Sequence, residues 1–217
     1  SAARTAPARV ASTLAGSTAL REAPKRLVQP LAPAATNAPT HFQPWTPRAA
    51  GDVSYLDSLA SSATARTLVR SLLEDGISAE GPIHQHRLAK KVANAFGLTR
   101  VTQSRIESIL QTGRRRPDQF DFFWQDGVDP QDWRDFRPDQ SQDRQLDHIS
   151  PHELANAMRE VARQSGGINV EELKTDTREI FGFKRLTAGF SDTLDRALAI
   201  GLETGRLRWD NNLIKEA

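Results

Sequence analysis

The sequence predicts a mainly α protein with small β-hairpins (α+β), built as two tandem winged helix-turn-helix-like units joined by an acidic bridge. Three observations predict it. Apolar residues recur at helical spacing in several segments. The chain repeats itself without a gap at an offset of 85 residues, and each copy ends in a stretch able to form a short hairpin. The repeat pairs Gly81 with Gly166, Ile83 with Ile168, Leu88 with Leu173, Phe96 with Phe181, Gly97 with Gly182, Arg100 with Arg185 and Thr102 with Thr187. Apolar anchors and turn glycines recur while surface residues drift, as duplicated three-helix units should show.

Residues 1–52 form an Ala/Pro-rich tract expected to be a disordered linker, because too little apolar surface is present to offset the ordering entropy. Phe42 and Trp45 are the exception, expected to dock on a neighbouring surface. The opening SAARTAPARVASTLAG, without Met, reads as the start of a fragment rather than as a transit peptide. The first unit spans 53–125. Its first helix carries Leu68, Val69, Leu72 and Leu73 on one face and is expected to end at Gly76. Pro82-Ile83 reads as a short extended piece. A second helix carries Leu88, Val92 and Phe96, with Gly97 in the position of a C-terminal cap. Thr102 is a good N-cap for a third helix bearing Ile106, Ile109 and Leu110. Arg114–Arg116 paired with Phe120–Trp124 would complete a wing. The bridge, 126–149, is read as a solvated connector pinned by Trp124, Trp133 and Phe136. The second unit, 150–217, closes with a hairpin that turns at Asp210-Asn211-Asn212 and returns through Leu213-Ile214.

The formal net charge of +2 hides strong segmentation. Residues 66–116 carry ten basic and four acidic groups, whereas 117–147 carry nine Asp and three Arg. A local field of this kind survives cancellation in the total. Hydrophobic content is 38%, below the usual level of about 45–50%. No apolar run approaches the roughly 18 residues of a membrane span, so no membrane partner is expected. The absence of cysteine excludes disulfides, thiolate metal sites and cysteine nucleophiles, and suits a cytoplasmic chain.

Chemical motifs are weak. His84 and His86 stand two apart at a helix start beside Arg87, Lys90 and Lys91, a poor setting for a cation, so no metal is assigned. No glycine context matches a phosphate-binding loop. Asp118 with Glu172 and Lys174 imitates a nuclease metal site, but Glu172 and Lys174 fall on different faces of a predicted helix. The acidic bridge lacks a calcium-loop pattern. No catalytic residue, cofactor or small-molecule substrate is therefore expected. The basic residues carry more. Lys90, Lys91, Arg100, Gln103, Arg105 and the run Arg114, Arg115, Arg116 lie where a helix-turn-helix meets nucleic acid, flanking elements gripping phosphates and the third helix entering the groove. In the second unit only Lys184 and Arg185 keep that option open, because Asp192, Asp195 and Glu203 on its third helix would be repelled by phosphate. Its apolar stripe, Phe190, Leu194, Ala197, Leu198 and Gly201, points to packing and docking.

The segments EGPIH…RLAKKVANAFGLTR…SRI, FFWQDGVDPQDWRDFR, ISPHELANAM and GFKRLTAGFSDTLDRAL resemble domain-of-unknown-function family 3320 over roughly residues 55–217. That family occurs near the C-terminus of large bacterial helicase-related proteins, so the resemblance implies a nucleic-acid context and no catalysis in this region. The expected function is a non-catalytic accessory module binding nucleic acid, with double-stranded DNA as the default. The alternative is a protein-docking module facing other domains of the parent helicase-like protein or an acidic partner.

Overall fold

The computed structural model describes residues 41–139, 143–184 and 188–217. Asp52 caps a single turn, α1 (Val53–Asp57), by accepting the Ser54 N–H. Ser62 does the same for α2 (Ala63–Glu80), accepting from Ala65 N–H, and Val69, Leu72, Leu73 and Ile77 of this helix are buried. The helix does not end at Gly76. It runs through that glycine to Glu80, and the residue there is glycine because a Cβ would meet Leu88 Cδ1 at 2.5 Å and the Trp45 ring at 2.8 Å. Gly76 is a contact point inside the helix, not a stop signal.

Strand β1 (Ile83–His84) leads directly into α3 (Gln85–Ala95), which buries Leu88, Ala89, Val92 and Ala93. Gly97 takes φ 78° beyond the helix, and Leu98 N–H reaches back to Ala93 C=O. This closure satisfies carbonyls that the helix end would leave unpaired. Thr102 then caps α4 (Gln103–Thr112) through Arg105 N–H, as its sequence position predicts. The expected wing between Arg114–Arg116 and Phe120–Trp124 does not form. Strand β2 (Phe122–Phe123) pairs instead with β1, Ile83 opposite Phe123 and His84 opposite Phe122. Both phenylalanines are buried, so pairing them with three arginines would draw guanidinium groups into an apolar layer. Pro117 also lacks the N–H a ladder needs.

The second unit repeats this plan. A 3₁₀ turn (Leu146–His148) precedes α5 (Pro151–Ser165), followed by α6 (Val170–Ile180), α7 (Ala188–Glu203), β3 (Leu207–Asp210) and β4 (Leu213–Glu216). At the offset of 85, Asn169 caps α6 where His84 caps α3. Gly182 takes φ 77° and Phe183 N–H returns to Arg178 C=O, the counterpart of the Gly97 closure. Ile168 bridges to Ile214 as Ile83 does to Phe123. Thr187 lies outside the described residues. The β3–β4 hairpin forms where expected, with φ 47° and 67° at Asn211 and Asn212, the conformation of a two-residue turn that follows strand twist.

Each unit has its own apolar core, one built around Val69, Leu88, Val92, Phe96 and Ile109, the other around Leu154, Met158, Leu173, Phe181 and Leu194. The second core already includes Leu146 and Ile149, which the sequence placed in the bridge. Between the cores runs a polar seam. Arg137 donates to Glu153 and to the carbonyls of Glu80 and Pro82, while Arg144 donates to both oxygens of the fully buried Glu153. Arg87 pairs with Glu80 and Asp143. Phe42 covers all three guanidinium groups, 3.9 Å from Arg144 and within 5.5 Å of the other two. Phe42 and Trp45 thus dock as their sequence suggests, Phe42 buried and Trp45 packed on the first core, and they tie down a segment otherwise read as linker. Trp45 N–H donates to Glu80 and Ala50 N–H to Ala95 C=O. The remainder of the tract, 1–40, lies outside the described residues.

The bridge is pinned as its aromatic residues suggest. Trp124 and Trp133 meet edge to face at 5.4 Å, and Phe136 packs on the second core. Arg206, 1% exposed, donates to the carbonyls of Pro130, Gln131 and Trp133 and to Asn156. Burial, with Arg134 and Arg159 nearby, pushes its pKa down to about 10. Among the described residues no helix is long and apolar enough to cross a membrane.

Candidate nucleic-acid interface

The basic residues singled out from sequence divide into two groups, one consumed by the fold and one displayed. Lys91 donates to Trp45 C=O at 2.6 Å and holds the 41–50 segment down. Burial, and then the neighbouring Arg87, lower its pKa. Arg105 reaches back to Leu56 C=O and Asp57. Arg115 donates to Trp124 C=O and pairs with Glu74 and Asp126. These three hold elements of the first unit together. Lys90, Arg100, Arg114 and Arg116 are exposed, and among the described residues none of the four has an acidic partner. Lys184 is exposed in the second unit, and Arg185 lies outside the described residues.

The segment from Gly113 to Asp121 is a loop without regular structure, held in its first half by Arg115 and in its second by Asp118. One carboxylate oxygen accepts the N–H groups of Phe120 and Phe122, and the other accepts Trp124 Nε1–H at 2.7 Å. Asp118 N–H closes the loop on Phe122 C=O. Asp118 is therefore a loop staple, engaged by local donors on both oxygens. Glu172 is exposed on α6, whereas Lys174 is buried and paired with Asp195. With Arg115 turned inward between them, Arg114 and Arg116 point the other way. The alternation is that of an extended chain, whose successive side chains leave on opposite sides. A shallow concavity beside them is lined by Arg116, Pro117, Phe122 and Trp124.

Helix α4 connects this loop to Arg100. Ten residues at 1.5 Å each place the loop about 15 Å from the Thr102 cap. Its outer face exposes Gln103, Ser104, Glu107, Ser108 and Gln111, and Gln103 is bonded to Glu107 at 3.0 Å. Sequence reasoning singled out Gln103 and Arg105 but passed over Ser104, Ser108 and Gln111. Their signal was available: positions 104, 108 and 111 fall on one helical stripe opposite Ile106 and Ile109.

His84 is the N-cap of α3, its Nδ1 accepting the His86 N–H at 3.2 Å. It belongs to helix entry, as the sequence suggested. Among the described residues, no group of three or more His, Asp or Glu is arranged to hold a metal ion.

No curated protein and no solved structure matches the chain. A family model described as "Protein of unknown function (DUF3320)" matches residues 60–108, a shorter stretch than the 55–217 over which the resemblance was read. The matched segment holds α2, β1, α3 and the first half of α4, the part of the chain whose surface carries Lys90 and Arg100, and over this segment the chain is similar to the DUF3320 family.

Proposed function

We propose that this chain is a non-catalytic, nucleic-acid-binding accessory region of a helicase-related protein, with duplex DNA as its ligand. The observation that carries the reading is the display of Arg114 and Arg116 at the end of α4, on either side of Arg115, which is anchored to Trp124 C=O, Glu74 and Asp126. A backbone anchored between two displayed side chains loses less conformational freedom on binding, so the guanidinium groups of Arg114 and Arg116 meet phosphate oxygens at lower entropic cost. The order helix, short strand, helix, turn, helix and returning strand supports a winged-helix reading of each unit. In that reading α4 enters the groove with Gln103, Ser104 and Ser108, and Arg100 and Lys90 grip the flanking backbone. Phosphate contacts outnumber base-reading groups, so binding is salt-sensitive and weakly selective.

Fluorescence anisotropy of a labelled duplex of about two helical turns, titrated across a salt series, tests it. The Arg114→Ala/Arg116→Ala double variant should lower the magnitude of the log–log salt slope by about 2 and weaken binding. Arg115→Ala should chiefly destabilise the fold. Undetectable binding of the wild-type chain at low salt would sink the reading.

A second reading, docking on other domains of the parent, draws on the terminal hairpin. Trp209 is 55% exposed there and Leu213 is 38% exposed. Exposed aromatic groups at a protruding tip are common anchors of protein interfaces. Loss of partner binding on Trp209→Ala, with no duplex binding, would favour it.

A further inference from the structure

Four of the five histidines gather where the two three-helix units meet. His84, at the end of β1, stacks on His148 of the 3₁₀ turn with ring centroids 4.7 Å apart and 25° between planes. Phe122 closes one side of His84, edge to face at 5.2 Å. Charged neighbours come from every side. His86, Arg87 and Lys90 approach from α3, Asp118 and Asp121 from the loop before β2, and Asp147 from the turn itself. Behind the turn, α7 contributes apolar packing, since Leu146 shares a core with Leu194 and Leu198.

The hydrogen bonding decides which form of His84 the fold holds. Its Nδ1 is an acceptor for the His86 N–H, so that nitrogen carries a lone pair and the ring is neutral. Protonation there has three costs. It replaces the cap with two opposed N–H groups, places a cation at the positive end of α3, and sets a charge against a second imidazole in van der Waals contact. We propose that the His84–His148 stack is an acid-released latch between the two units, closed while both rings are neutral and opened when either gains a proton. This latch stands independently of the nucleic-acid reading.

The direction follows from the sign of the shifts. Burial and His86 hold His84 below its ordinary value. Burial and His84 push His148 down to about 4. A depressed histidine contributes stability that is complete above the ordinary imidazole value of about 6.5 and is lost as pH falls toward the folded value. Carboxylates such as Glu153 and Asp143, also held low, release their share only further into acid. The window between pH 6.5 and 5 therefore belongs to the histidines, His152 included, whose pKa burial also lowers.

Urea unfolding of the full chain at pH 7 and pH 5, with imidazole proton titration by NMR, tests the latch. His148 alone, shifted to about 4, lowers the folding constant on the order of twentyfold between those pH values. His84→Asn keeps a capping oxygen, the choice made by Asn169 at the matching position, and His148→Phe keeps a flat ring. His84→Asn should match the wild type at pH 7, and the double variant should lose most of the pH dependence. A double variant as acid-sensitive as the wild type would overturn the proposal, because His152 would then carry the effect. Should His148→Phe fail to fold, the wild-type titration decides. Two imidazoles titrating independently near their ordinary value would refute the latch, and coupled, depressed titrations support it.

Discussion

Gly76, in the fourth turn of α2, shows how the absence of one methyl group governs the first core. The Trp45 ring and Leu88 Cδ1 both occupy the space a methyl group would take. Alanine has the better helix propensity by about 1 kcal/mol, yet the overpacking works against it, at about 1–3 kcal/mol. Gly76→Ala is expected to destabilise in urea titration, and a gain in stability would show that Trp45 is not tightly held. Asp118 is the corresponding residue of the loop. It accepts three N–H donors, so Asp118→Ala leaves them without partners and loosens the loop that follows Arg116, including Trp124, whose carbonyl anchors Arg115. Weaker duplex binding by several-fold with an unchanged salt slope is expected, because the charges remain while their preorganisation is lost. Both readouts come from the same anisotropy series.

At the level of elements, the two units differ where their sequences diverge. The α3 and α6 ends close identically, by a left-handed glycine and a backward N–H bond, because Gly97 and Gly182 occupy the same place in the repeat. Their returning strands differ. The second unit has a complete hairpin of four residues in each strand, whereas the first has only the two-residue ladder of β1 and β2. An Asn-Asn turn with both residues at positive φ can support a tight hairpin, while Arg114–Pro117 offers no such turn. Asn212→Ala is expected to cost about 1 kcal/mol and Asn212→Gly close to nothing. Equal losses for both would place the turn's contribution in its side chain rather than its backbone.

Over the whole molecule, the seam joins two separate cores through buried charge. Burial alone would raise the Glu153 carboxyl, but Arg137 and Arg144 hold it below the ordinary carboxylate range. Its folded value is depressed, so its contribution is complete above the unfolded carboxylate value and fades as pH falls below it. Glu153→Gln leaves two arginines without their shared anion, at an expected cost of about 3–5 kcal/mol. Phe42→Ala uncovers the same guanidinium groups and should weaken the seam while leaving each core intact. Hydrogen exchange would then rise first at residues 143–153 and around Arg137. Uniform acceleration over both cores would mean that the units unfold only together.

The main helices of the first unit, the Thr102 and Gly97 caps, the duplicated plan and the terminal hairpin were legible in the sequence, because spacing, N-cap residues and left-handed glycines act over a few residues. Local rules misjudged Gly76, since its reason for being glycine is Trp45, far away in sequence. They misplaced the first wing, since β2 chose β1 as its partner over an adjacent arginine run that would have had to be buried. The chain alone could list the basic residues but could not sort them. Arg114, Arg115 and Arg116 are identical in type and adjacent, and only packing turned Arg115 toward Glu74, Asp126 and Trp124 C=O while leaving its neighbours exposed. The seam was hidden for the same reason: Glu80, Arg87, Arg137, Asp143, Arg144 and Glu153 lie far apart or in different segments along the chain, and charges so placed become partners only when folding removes the water between them.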